Sequence, residues 1–444
     1  MAGPARVLEE LGFYTLAGQP ASSRDLVAEV VEGEALGLGT AFISERYNKK
    51  EAATLSGAAG AVSERITIET AATNHNTRHP LVTAGFARTM QSLTGGRFVL
   101  GLGRGISLMQ DAFGIPRITT AQLEDFAGLM RRLFRGEAIV GHKGPAGSWP
   151  VLHLDATLNE HLPMSLVAFG PNSLALGGRC FDEVVLHTFF TDETTARCVE
   201  TVKRAAEKAG RDPASVKVWS CFATVGDHIP ADKRLMKLVG RLATYLQGYG
   251  ELLVRTNGWD VGVLKRILAD PIVSSVRGLD IVGTTEQLEH VAKLIPDEWL
   301  ASAATGSPKQ CVAAIRNQYE VVVTQKVGIT SWWHECVLGP VELIEFRLEE
   351  KGTNKAAAWA RAWEMEGFSW RWNLPSVGLV DVEVREDARR KGLAKFLIGQ
   401  ILLYLQDQFF GLVEVQARQS NHAGIGLLKS LGFDQADTGR LYKK

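Results

Sequence analysis

From Leu8 to about Val225, short apolar runs alternate with amphipathic stretches of helical length. The runs ELGFYTL, TAFIS, RITIETAAT and GRFVLGLGRG are separated by SRDLVAEVVEGEALG, a helical stretch ending at Val62, and another beginning at Pro80. Strand, helix, strand in steady alternation predicts a parallel sheet, because parallel neighbours need a crossover of a dozen or more residues. A polar insertion, GEAIVGHKGPAGSWPVLHLDATLNEHL, interrupts the series. The pattern then resumes with MSLVAFG, PNSLALGGR, EVVLHTFF, the helix ETTARCVETVKRAAEKAG and VKVWSCFATVG. Seven strands are predicted this way. Pro230 to Pro296 reads as mainly helical, and the capped segment GSPKQCVAAIRNQYE leads to VVVTQKV, a candidate eighth strand. Eight such strands close an α/β barrel of the TIM (β/α)8 type. VVVTQKV lacks a glycine-bearing lead-in after Tyr319, so the alternative that it begins the next domain stays open.

Past Gly328 the pattern changes. GPVELIEFRLEE, NKAAAWARAWEMEGFSWRW and PSVGLVDVEV are strand-like runs in series, joined by KGTN and NLP, as in an antiparallel meander. The helix LAKFLIGQILLYLQDQF, the strand LVEVQAR and the helix AGIGLLKSLGF follow. This predicts a separate α+β unit, and the expected division is residues 1–325 and 335–444.

Composition narrows the function classes. A chain of 444 residues exceeds one ordinary core, which agrees with two domains. Basic and acidic residues balance at 49 each, with no block of like charge, so neither a nucleic-acid footprint nor a polybasic membrane patch is indicated. Small molecules are the expected partners, and a homodimer the expected assembly. The five cysteines are scattered and odd in number, which fits reduced thiols better than disulfides or a zinc site. No signal-peptide core and no run of about 18 apolar residues is present, so the expectation is a soluble, cytoplasmic protein.

Three segments at strand ends could carry chemistry. The first is TAATNHNTRHP, where Thr70, Ala71, Ala72 and Thr73 end a strand. Small residues there let a flat ring approach the backbone, while Thr73 and Asn74 can hydrogen-bond its edge; the plainer reading is a polar loop before a Pro80 helix start. His75 and His79 lack a helix across them or a third ligand, so no metal site is expected. The second is GRFVLGLGRG, whose Gly101, Gly103 and Gly105 are not followed by the helix and acidic residue of a dinucleotide fingerprint. They read instead as making room beside a bound ring, with Arg104 at the same mouth. The third is FGPNSLALGGR with EVVLHTFFT, where Gly170, Asn172, Ser173, His187 and Thr188 form a candidate phosphate cradle at a helix N-terminus. An N-capped helix and a core histidine are the equal alternative.

Taken in order, ELGFYTL, GLGTAFISERYN, AATNHNTRHP, LTGGRFVLGLGRG, FGPNSLALGGR and ATGSP resemble the luciferase-like monooxygenase superfamily, and within it the coenzyme F420-dependent oxidoreductases. The resemblance covers roughly residues 6 to 320. It implies a TIM barrel with a coenzyme ring across the strand ends, on a non-proline cis-peptide bulge near Ala71 and Ala72. It also implies that Thr73 and Asn74 contact the deazaflavin ring, with Gly103 beside it. Gly170, Pro171 and Asn172, with His187 and Thr188, would hold the phosphate-bearing tail; FMN is the alternative coenzyme. The implied reaction moves a hydride between an unidentified small organic substrate and the ring. One departure stands out: where many such relatives carry an acidic residue followed by histidine after the second strand, this chain has Glu45 and Arg46. Arginine cannot act as an ordinary base near neutrality, which leaves Glu45 as the acid/base candidate and Arg46 to bind an anionic substrate or a reduced coenzyme anion.

The C-terminal unit contains VEVREDARRKGLAKFLIGQIL, a strand, a basic turn and a helix. Such a turn is an anion site suited to pyrophosphate, although most basic helix starts are only solvated. Arg389, Gly392 and Ala394 match the RxxGxA turn of GNAT-type N-acetyltransferases, and NHAGIGLLKSLGF is similar to a later helix of that fold. The resemblance covers about residues 335 to 444 and implies acetyl-CoA binding. Leu428 stands where such enzymes often place a tyrosine, which counts against transferase activity as the alternative function.

Overall fold

A computed structural model describes residues 7–18, 20–46, 50–105, 107–154, 161–327, 331–337, 343–350, 355–364, 376–407, 411–415, 417 and 420–435. The chain divides into two compact units, Met1–Gln318 and Tyr319–Lys444. In the first, β1 (Leu8–Tyr14), β2 (Leu38–Ile43), β3 (Thr67–Thr70) and β4 (Phe98–Leu102) are four strands of a parallel sheet. The polar insertion forms a hairpin, β5 (Ile139–Gly144) and β6 (Gly147–Leu152). The parallel sheet continues through β7 (Met164–Val167), β8 (Glu183–Val185) and β9 (Lys217–Trp219), in the order β1-β2-β3-β4-β7-β8-β9. Each of the seven predicted runs contributes one of these strands.

The expected eighth strand is corrected by the structure. VVVTQKV lies inside a helix, Pro308–Val327, and the eighth strand is β11 (Ala304–Gly306), paired in parallel with β10 (Thr224–Gly226). The physical reason is visible at the helix start. The Ser307 hydroxyl accepts from the Gln310 amide while Gln310 Oε1 accepts from the Ser307 amide, a reciprocal cap. No proline or glycine interrupts the residues that follow Pro308, and β-branched residues cost only tenths of a kcal/mol inside an established helix, about 0.7 at most. The VKVWSCFATVG run is likewise split into β9 and β10. Among the described residues no ladder joins β11 to β1, so the TIM-type barrel carries its eighth strand as a three-residue segment on the extension of the seventh.

Strands buried on both faces need continuous apolar sequence, and β4 meets that need with Phe98, Val99, Leu100 and Leu102 all buried. Helices cover the outside. The helix Thr120–Phe134 opens on a Thr119–Gln122 capping box and buries Leu123, Phe126, Met130 and Leu133 at helical spacing. Burying each such side chain contributes about 1.5–3 kcal/mol.

The second unit is a five-stranded sheet. Strands β12 (Ser331–Val337), β13 (Leu343–Glu349), β14 (Ala356–Glu364) and β15 (Ser376–Val384) are antiparallel in series, and β16 (Leu412–Val415) joins β15 in parallel. Ala358, Ala360 and Ala362 alternate along one buried face of β14. Their small side chains share a core with Leu397, Ile401 and Leu405 of the helix Leu393–Asp407, spaced four apart on one helical stripe. No described helix is long and apolar enough to cross a membrane.

Candidate active site

The C-terminal ends of the parallel strands form the mouth of the barrel, where enzymes of this architecture place their sites. After β3 the chain passes through a cis peptide between Ala71 and Ala72, at the position the family resemblance implies for a bulge. This segment is tied on both sides. The Ala71 amide donates to Ile43 O (2.7 Å) and the Glu45 amide to Ala72 O (3.1 Å), while the Thr73 amide donates to Gly101 O and the Gly103 amide to Thr73 O, both at 3.0 Å. Gly101 and Gly103 are needed for that approach. A Cβ at Gly101 would overlap the Thr70 carbonyl oxygen, and one at Gly103 would lie 2.7 Å from Ala72 Cβ. At Gly101 and Gly103 the neighbouring chain takes up the space that a side chain would need. Arg104 is also engaged, donating to the Thr120 hydroxyl while its carbonyl accepts from Gln110.

Glu45 sits at the centre of a buried ionic knot. Its side chain is only 4% exposed and its Oε2 accepts from Arg78 Nη2 at 2.9 Å and from the Thr73 hydroxyl at 3.1 Å. Oε1 accepts from the Ala52 amide at 3.2 Å. Arg78 Nη1 in turn donates to Thr73 Oγ1 at 2.6 Å, and Arg78 also pairs with Glu51. The acid/base role expected of Glu45 therefore meets a carboxylate already bound on both oxygens and beside a fixed positive charge. It holds Thr73 and Arg78 in place. Asn74, also buried, donates to Gly103 O at 2.8 Å. His75 packs on Phe126 with ring centroids 5.1 Å apart, and burial lowers its pKa to about 4; His79 caps the helix Pro80–Leu93 by accepting from the Leu81 amide.

His187 lies in an aromatic box at the ends of β7 and β8. Its ring stacks on Phe169 (4.4 Å between centroids, 11° between planes) and meets Tyr245 and Tyr249 edge-on. Nδ1 lies 2.8 Å from Thr188 O and Nε2 2.8 Å from the Tyr249 hydroxyl. A carbonyl only accepts, so Nδ1 carries the proton and Nε2 accepts from tyrosine. Burial lowers the pKa to about 4, which keeps the ring neutral near neutrality. Both ring nitrogens are thus used within the protein, and His187 acts as a wall. The Thr188 hydroxyl is 3.1 Å from Cys221 Sγ, and burial raises the Cys221 thiol. Next to this box the helix Pro171–Cys180 begins at Gly170 with no side-chain cap. Pro171 has no amide hydrogen, and the Asn172 amide has no partner among the described residues. A helix N-terminus left this way is suited to an anion.

Arg46 belongs to a second group, most of which sequence reasoning missed. Arg46 Nη1 donates to Gly18 O at 2.9 Å, and its backbone pairs with that of Lys50. Arg241 forms an ion pair with buried Asp280 at 2.7 Å and lies over the Tyr245 ring. Burial, and then the charge of Arg241, lowers the proton affinity of Arg46. Tyr245 and Tyr249 stack four residues apart on the helix Arg241–Asn257, whose backbone kinks at Tyr249 (φ −156°, ψ 36°). The segment RLATYLQGYG carried the one usable signal: an arginine and two tyrosines four apart on a single helical face.

In the second unit, Arg389 Nε donates to Val384 O at 3.1 Å, and the exposed turn reaches left-handed backbone at Arg390 (φ 63°) and Gly392 (φ 80°) before the helix at Leu393. Ala394 follows in the first helical turn. Leu428 packs against that unit's core.

Residues 10–325 match the sequence model of luciferase-like monooxygenases, and residues 325–433 match that of the acetyltransferase (GNAT) family. Over 304 residues the chain is 25% identical to a 5,10-methylenetetrahydromethanopterin reductase of Methanolobus tindarius, covering 66% of this chain and 86% of that protein. It is 26% identical over 204 residues to a phthiodiolone/phenolphthiodiolone dimycocerosates ketoreductase of Mycobacterium tuberculosis, covering 42% of this chain and 50% of that one. Among solved structures, a coenzyme F420-dependent tetrahydromethanopterin reductase from Methanopyrus kandleri superposes with a TM-score of 0.58 at 18% identity, covering 72% of this chain and 91% of that one. An F420-dependent secondary alcohol dehydrogenase superposes with a TM-score of 0.54 at 16% identity, covering 71% and 91%. At such identities these two likenesses speak for the fold.

Proposed function

Because the chain belongs to the luciferase-like monooxygenase family, we propose that its barrel is an oxidoreductase that binds the deazaflavin coenzyme F420 at the mouth. The observation that carries this reading is the pairing of a locked, small-residue floor at Ala71–Thr73 with the uncapped helix start at Gly170. The donor set fits the group. Ala71 and Ala72 offer a flat apolar surface, Asn74 and Gly103 form its hydrogen-bonded margin, and the Asn172 amide with the Thr188 hydroxyl suits a phosphate. Gly170 and Pro171 shape that turn, and His187 supports it from the aromatic box. When bound, the coenzyme supplies hydride chemistry; the protein supplies position and electrostatics. Glu45 and Arg78 fix Thr73 against the floor. F420 is placed before FMN because the reductase and dehydrogenase structures that share this fold are named as F420-dependent.

The test is titration of the full-length protein with F420, FMN and acetyl-CoA. F420 is expected to bind in the micromolar range, about −8 kcal/mol. Binding of FMN without F420 would overturn the coenzyme assignment. Acetyl-CoA is expected to bind through the Arg389–Gly392 turn and the first helical turn at Leu393 and Ala394, and no acetyl transfer is expected with Leu428 at the place of the usual acid.

A further inference from the structure

Three cations from two segments meet at the loop after β1: Arg46 and Lys50, whose backbones pair, and Arg241. Arg46 Nη1 donates to Gly18 O at 2.9 Å, and Lys50 Nζ donates to Thr15 O at 3.1 Å. Arg241 Nη2 lies 4.0 Å from where a Cβ on Gly18 would stand. Their compensation is incomplete. Arg241 has Asp280, which is also held by the Thr244 hydroxyl at 2.8 Å. Among the described residues, neither Arg46 nor Lys50 has a carboxylate within 4.0 Å, although Lys50 is only 3% exposed. Asp280 also acts on Arg46 from beyond that distance, and Glu29 on Lys50, the Glu29 carboxylate accepting from the Leu16 amide.

Placing like charges together in a half-buried region is unfavourable unless an anion neutralises them. The arrangement is nonetheless held by specific hydrogen bonds to the Thr15–Gly18 loop. It lies beside Tyr245 and Tyr249, and the donor set of two guanidinium groups, one ammonium and neighbouring hydroxyls is one that binds oxyanions. The coenzyme reading uses none of these cations.

We infer that Arg46, Arg241 and Lys50 form an oxyanion subsite, so that the substrate of this barrel carries a carboxylate or phosphate group. The inference rests on the oxidoreductase reading for the word substrate; the subsite itself is tested without it. Isothermal titration of the full-length protein with benzoate, and separately with inorganic phosphate, is expected to show saturable binding of at least one, and which one binds identifies the anion. Arg46→Gln is expected to weaken that binding about tenfold, the loss of one charge-assisted hydrogen bond, while Arg46→Lys restores part of it. F420 affinity of Arg46→Gln, measured in parallel with its circular dichroism, is expected to stay within about twofold of the parent. The proposal is overturned if neither anion binds saturably, or if Arg46→Gln leaves anion binding unchanged. It is also overturned if F420 and the anion weaken equally, because the cations would then serve the coenzyme. If the parent protein binds the anion through Arg46 but not F420, the coenzyme reading fails and the subsite stands.

Discussion

The mouth of the barrel and the basic turn of the C-terminal unit both offer arginines and backbone amides to an anion, yet they are built in opposite ways. At the mouth, Glu45 is tied to buried Thr73 and half-buried Arg78 by hydrogen bonds that cross 28 and 33 residues of sequence, and Arg241 is held by Asp280. In the turn, Arg389, Arg390, Lys391 and Gly392 are exposed, and among the described residues Arg389 donates to Val384, five residues away. The first site is shaped by the fold around it. The second is shaped by its own backbone, so substitutions should damage the two regions very unequally.

The largest contrast lies between two glycines. Gly101→Ala would force a methyl into the Thr70 carbonyl, where neighbouring strands cannot separate without losing the sheet. A loss of more than about 4 kcal/mol is expected, enough to unfold the barrel, seen as loss of its urea transition. Gly392→Ala meets open space and carries only the cost of left-handed backbone, about 1–2 kcal/mol. Equal effects of the two would break the comparison. Next comes Arg78→Met, which leaves the Glu45 carboxylate buried without its cation. The expected cost is about 3 kcal/mol in urea unfolding, and Glu45→Gln in the same background should recover part of it.

Acid should expose the same asymmetry. His75 and His187 have pKa values lowered to about 4 by burial, so the unfolded chain takes up protons before the folded one does. Their contribution is complete above about pH 6.5 and is lost as pH falls toward 4, by about 3 kcal/mol for each ring. Urea midpoints followed from pH 7 to 4 would show it. His75→Phe removes a ring nitrogen that has no hydrogen-bond partner among the described residues, and is expected to roughly halve the slope of the profile, His187 keeping the rest, without cost at pH 7.

What was legible in the sequence follows the same division. Strands β1 to β4 and β7 to β9 could be read because each sits in an apolar run separated by a crossover-length helix. The three-residue β11 is too short for any periodicity, and VVVTQKV has strand-forming residues but lies inside a capped helix. Local motifs pointed to Thr73, Asn74, Gly170 and the Arg389 turn. The ionic partners could not be read, because what brings Arg241 beside Arg46, and Tyr249 onto His187, is the curvature of the sheet. Glu45 was legible as a strand-end carboxylate but not as one saturated by Arg78.

The smallest expected effect separates folding from binding at one residue. Burial, with the charge of Arg46, lowers Lys50 to about 8, Glu29 opposing and Arg241 adding to the shift. As pH rises through that value the folded protein gives up a proton that the unfolded chain keeps up to about 10.5, so stability rises across the window. The oxyanion subsite loses one of its three cations over the same interval. Benzoate keeps its charge there, so its affinity should fall, by less than about tenfold, while the urea midpoint climbs. Lys50→Met should abolish both trends together. If affinity and stability moved in the same direction instead, Lys50 would belong to the scaffold alone, and the mouth would bind anions through its arginines, as the C-terminal turn is proposed to do.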